Sequence, residues 1–75
     1  MDVTYSRTFT HRPEMLTARI SDDDGVHFAE ITSTTPDTGT AVLWSRVFHT
    51  ESVATITAMV VAQFDHFVAC RLPQA

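Results

Sequence analysis

Lysine and asparagine are both missing from this sequence, and its five basic residues are all arginine. Both missing residues have A-rich codons, whereas alanine, valine, arginine and threonine are plentiful, the bias expected of a GC-rich bacterial or phage genome. Cysteine occurs once, at Cys70, which excludes an intramolecular disulfide and any oxidised framework. Glycine occurs only at Gly25 and Gly39, too far apart to build a phosphate-cradling loop. Positive charge is in deficit: five arginines face nine acids, for a net charge of −4. That balance argues against binding of duplex nucleic acid, which needs cations to displace the counterions along the backbone. A long unbroken apolar run is also lacking. The most apolar stretch is interrupted by Gln63, Asp65, His66 and several threonines, so no membrane span is expected. Nor does a basic start lead into an apolar segment with a small-residue cleavage site, so no signal peptide is expected. These absences leave a soluble, cytoplasmic protein as the expectation. Its 75 residues form one domain near the lower size limit for folding alone.

What is present is organised around one amphipathic segment, Glu51 to Arg71. Val53, Ile56, Val60, Phe64 and Phe67 recur three or four apart, which lines them along one face of a helix. Val61 and Val68 widen that stripe on one edge, Met59 and Cys70 on the other. Thr50 is positioned to cap the N-terminus, with Glu51 just inside favouring the positive helix end. Arg71 suits the C-terminal end, and Pro73 opposes continuation. Burying five such side chains contributes on the order of 10 kcal/mol before conformational entropy opposes it.

The preceding residues read as strands. From Asp2 to Thr10 the chain alternates, with Val3, Tyr5 and Phe9 on one face (Arg7 the exception) and threonines and serine on the other. His11-Arg12-Pro13-Glu14 breaks the pattern. A second strand, Glu14 to Ser21, puts Leu16, Ala18 and Ile20 inward and Thr17 and Arg19 outward. Asp22-Asp23-Asp24-Gly25 is a hairpin turn, because Asp-Gly accepts the positive φ angles such turns need. The third strand runs from about Val26 to Thr34, and the opposite parity of Phe28 and Ile31 implies a bulge or two partly covered faces. Thr35-Pro36-Asp37-Thr38-Gly39 makes the next connection. The fourth strand, Thr40 to Phe48, carries Val42, Trp44, Arg46 and Phe48 on one side and Ala41, Leu43, Ser45 and Val47 on the other. Large apolar residues in both rows predict a central strand or one covered on both faces. The sum is ββββα: an α+β domain with a four-stranded antiparallel meander over 2–48 and a helix over 50–71 packed on one sheet face.

No pattern here specifies chemistry. Asp22–Gly25 places three acids in succession with glycine fourth, unlike a calcium loop, which alternates its ligands. His11, His27, His49 and His66 form no His-x3-His pair and do not join Cys70 at ligand spacing; only His11 and His49, both at strand ends, invite the thought that they meet in space. Asp65 and His66 are adjacent on a helix and so point about 100° apart. Cys70 lies at the helix end whose dipole disfavours a thiolate and reads as a small apolar flank residue. The expectation is therefore no catalytic residue, no metal and no cofactor.

Two kinds of surface remain. Arg7, Arg19 and Arg46 with Tyr5, Phe9, His27 and Trp44 could form a sheet that stacks single-stranded nucleic acid, although the aromatics are better explained as core and the net charge opposes it. The helix face opposite the stripe offers Ala54, Ala58, Ala62, Asp65, His66 and Ala69, where a solvated helix normally carries Glu, Lys and Arg. Its ladder of small residues would let another backbone approach closely. This points to a non-enzymatic protein-interaction module, an accessory subunit or a phage-type inhibitor such as an anti-CRISPR protein, with a homodimer through the alanine row. The single-strand-binding sheet is the alternative.

Overall fold

The computed structural model describes residues 2–72. Four strands, β1 (Asp2–His11), β2 (Glu14–Asp23), β3 (Val26–Thr35) and β4 (Gly39–Phe48), form one antiparallel sheet in spatial order β1-β2-β3-β4, followed by the helix α1 (Val53–Ala69). This is the expected ββββα α+β fold. Its hairpins follow from the local residues. Arg12 and Pro13, joined by a cis peptide bond, turn β1 into β2. Asp24 and Gly25 turn β2 into β3 with φ of 54° and 85°, and the Gly25 amide donates to Asp22 Oδ1 at 3.1 Å. A proline-led loop leads into Gly39, whose φ of 78° is the left-handed exit that glycine adopts without a Cβ clash.

One sheet face is covered by α1 and the other is not. The core is Leu16, Ala18 and Ile20 from β2, Ala29 and Ile31 from β3, Phe48 from β4, and Ile56, Val60 and Phe64 from α1. The helix packs on the two central strands, and Tyr5, Phe9, Leu43, Trp44, Phe67 and Val68 close the flanks.

Two bulges redistribute side chains that simple alternation assigns differently. In β1, Val3 pairs with Ser21 and Tyr5 with Ile20, so Thr4 is the additional residue. Val3 therefore leaves the face of Tyr5 and Phe9 and lies on the uncovered side, 55% exposed. In β4, Trp44 pairs with Ile31 and Val42 with Thr32, which makes Leu43 the additional residue and separates Val42 from the Trp44–Phe48 row. In β3 the β2 ladder is continuous, so Phe28 and Ile31 differ in parity because they lie on opposite faces. β4 is also an edge strand, not a central one. Its apolar residues off the helix side, Val42 and Val47, are exposed.

The helix is shorter than its periodicity predicts. Ser52, rather than Thr50, is the N-cap: its side chain accepts from the Thr55 amide at 3.2 Å, a bond worth about 1 kcal/mol. Glu51 stays outside the helix, where its carboxylate accepts from the Thr50 amide at 3.2 Å. Val53, in the first turn, overhangs the core and is exposed, whereas Ile56, Val60 and Phe64 are buried and Phe67 is half-buried. Cys70 is the C-cap and exposed, not an apolar flank; Pro73 lies outside the described residues. Among the described residues no helix is long and apolar enough to cross a membrane.

The helix C-terminus is tied to the sheet by charge. Arg71 donates from Nε to Glu14 Oε1 at 2.6 Å and from Nη2 to Oε2 at 3.1 Å, and from Nη1 to the Phe67 carbonyl at 2.9 Å. Ser33 on β3 donates its hydroxyl to Glu14 Oε2 at 2.5 Å. These bonds, that of Arg71 first, hold the Glu14 carboxyl below its ordinary pKa. One carboxylate thus links the start of β2, the C-terminal part of β3 and the residues just after α1.

Candidate functional site

The residues singled out on the helix are all outward: Ala54, Ala58, Ala62, Asp65, His66 and Ala69 are exposed. Asp65 leans toward β1, its Oδ1 3.7 Å from Arg7 Nη1. Contrary to expectation one histidine does join the cysteine: His66 and Cys70 are four residues apart on one helix face, with Nε2 3.9 Å from Sγ. Their neighbours are thus partly ion-paired and polar, and the alanine ladder faces outward from the sheet.

The histidines are dispersed. His11 stacks on Phe9 at the end of β1 beside the β1–β2 turn, while His49 follows β4 at the opposite end of the sheet, so the two do not meet. His27 sits beside Asp22, its Nε2 3.9 Å from Oδ1. Among the described residues no three His, Cys, Asp or Glu side chains come together as a metal-ligand group.

The arginines and aromatics do not share one open platform. Arg7 and Arg46 lie on the helix side, Arg7 over the Phe64 ring at 5.4 Å and Arg46 over Phe48 at 5.7 Å. Tyr5, Phe9 and Trp44 pack on the same side at the core flanks. Of the named set only Arg19 is on the uncovered face, and its Nη2 pairs with Glu30 Oε1 at 3.1 Å. A stacking surface needs cations and rings projecting together toward solvent. Here burial drew the rings to the helix side and the arginines followed them.

The feature that sequence pattern missed is the uncovered face itself. Ladder registers order it into four rows across the strands: Val3–Ser21–Phe28–Val47, Ser6–Arg19–Glu30–Ser45, Thr8–Thr17–Thr32–Val42 and Thr10–Met15–Thr34–Thr40. Eight large hydrophobic residues are exposed among those described, and five of them are here: Val3, Met15, Phe28, Val42 and Val47. The remaining positions in these rows are mostly hydroxyl side chains, which can face water or pack. Arg19 and Glu30 stand between two open hollows. One, of about 310 Å³, is lined by Ser21, Phe28, Ser45 and Val47; the other, of about 260 Å³, by Thr17, Thr32, Thr34 and Thr40. The signal for this face was present in β4, whose two apolar rows implied two covered sides.

Comparison with known proteins adds no relative: no family model, curated protein or solved structure matches this chain.

Proposed function

We propose that this chain is a non-enzymatic docking module that works by binding protein, as an accessory subunit or inhibitor of a larger assembly. The supporting observation is the open sheet face, where five large apolar side chains project from the four-stranded sheet on the side away from α1. Val3, Phe28 and Val47 share one row, an apolar strip of the kind interaction sites use, while Val42 and Met15 stand among threonines beyond the Arg19–Glu30 row. The geometry favours this face over the helix row as the principal docking surface. Alanine side chains offer little area to bury, while Phe28, Met15 and the valines offer the anchors on which interfaces depend.

Site-specific photo-crosslinking tests the reading. A crosslinking residue in place of Phe28 is expected to yield a defined protein adduct in the native host. The same residue in place of Ala58 is expected to yield much less. Greater capture at position 58 than at position 28 would move the docking surface to the helix. Capture of no protein at either position, with capture of nucleic acid instead, would overturn the proposal.

A further inference from the structure

We infer that the open sheet face is self-complementary and that its occupant is a second copy of this chain, packed face to face about a two-fold axis; this rests on the docking reading above. The argument comes from the registers. An axis running along the strands midway between β2 and β3 sets β2 of one copy against β3 of the other, and β1 against β4. Each row then meets its own reverse. Arg19 faces Glu30 of the second copy, and Thr17 faces Thr32. Val3 faces Val47, and the large ring of Phe28 faces the small Ser21. Opposite charges, paired apolar groups and a large residue against a small one are what an isologous interface requires.

The charge distribution agrees. The chain carries a net −4, yet the four rows hold one arginine and one glutamate and are neutral, with Asp23, exposed at the turn end of β2, the one further acid on this side of β2 and β3. Acids such as Asp22, Asp24, Asp37 and Glu51 belong to the helix side, the turns or the approach to α1. The area suffices. Four strands about 4.8 Å apart and about eight residues long at ~3.4 Å per residue span roughly 500 Å². Two copies would bury about 1,000 Å², the threshold for a specific interface. Pairing through the sheet edges is less favoured, because the bulges at Thr4 and Leu43 interrupt both edge strands.

The test is sedimentation equilibrium of the full chain, with circular dichroism verifying the fold of each variant. Wild type is expected to dimerise in the micromolar range. Arg19→Glu and Glu30→Arg should each weaken dimerisation at least tenfold, because each sets like charges across the axis. Mixed together, the two variants should recover association as a heterodimer, since every charged residue then faces its opposite. Ala62→Glu should leave the dimer intact. A wild-type monomer at several hundred micromolar, a mixture that fails to recover, or a dimer broken by Ala62→Glu but not by Arg19→Glu would overturn the inference. If wild type is monomeric while a crosslinker at position 28 still captures a different protein, self-association falls and the docking reading stands. If both fail, both are wrong.

Discussion

Replacing Phe64 by alanine is expected to cost about 3–5 kcal/mol of folding stability, the usual penalty for emptying a buried aromatic site. Phe64 is 1% exposed and is among the largest fully buried side chains of the described residues. Its ring also carries Arg7 at 5.4 Å, and Arg7 in turn reaches Asp65 on the same helix. Truncation therefore removes both the contact with the sheet and the surface on which that ion pair rests. A chain of this length has roughly 4–11 kcal/mol of stability in total, at about 0.05–0.15 kcal/mol per residue. The loss is from about a third of that total to nearly all of it, and at the lower end of the range a large fraction of molecules would unfold at 37 °C. Phe28→Ala provides the contrast: the ring is already 38% exposed, so about 1 kcal/mol or less should be lost from the monomer. Thermal or denaturant unfolding of the two variants reads the difference. Similar midpoints would mean that α1 does not rest on the face assigned to it.

The second large effect is the clamp at the helix C-terminus. Glu14→Gln should cost about 1–2 kcal/mol at pH 7, because it removes the charge from a bidentate, partly buried arginine pair. The dependence on pH follows from the carboxyl's lowered pKa. Unfolded chains bind that proton more tightly than the folded one, so the contribution is complete above the ordinary carboxylate pKa. It fades as pH falls through the lower folded value. Wild type and Glu14→Gln should therefore converge in stability in acid and separate toward neutrality. Arg71→Ala should behave like Glu14→Gln, and the double variant should cost less than the two singles combined, since both remove the same bond. Denaturant unfolding between pH 2.5 and 7 measures this. A constant gap across that range would show that the clamp does not depend on the Glu14 charge.

The meander, its turns and the inner faces of β2 and α1 were legible in the sequence for physical reasons. Asp24-Gly25 and Gly39 occupy backbone conformations that few residues tolerate. Leu16, Ala18 and Ile20 alternate without interruption, and Ile56, Val60 and Phe64 keep helical spacing through the buried middle of α1. Side-chain direction failed at the bulges. One additional residue at Thr4 or Leu43 inverts the parity beyond it, and neither position carries a distinctive residue. The helix cap moved by two residues because Thr50 and Ser52 are both good caps, and only tertiary packing chooses between them. The candidate surface was half legible. The outward alanines are where helical spacing puts them, but the apolar sheet face was concealed. β4 looked like a central strand when its second apolar row in fact faces outward from an edge.

The central claim is that the open sheet face is the surface through which this protein pairs with a second copy of itself. A concentration series of backbone amide spectra tests it most directly, because it reports residue by residue. Shifts or broadening that grow with concentration should appear at Thr17, Phe28, Glu30, Thr32 and Val47, while Ala58, Ala62 and Ala69 stay unchanged. Changes confined to the helix residues, with the sheet rows unmoved, would contradict the claim.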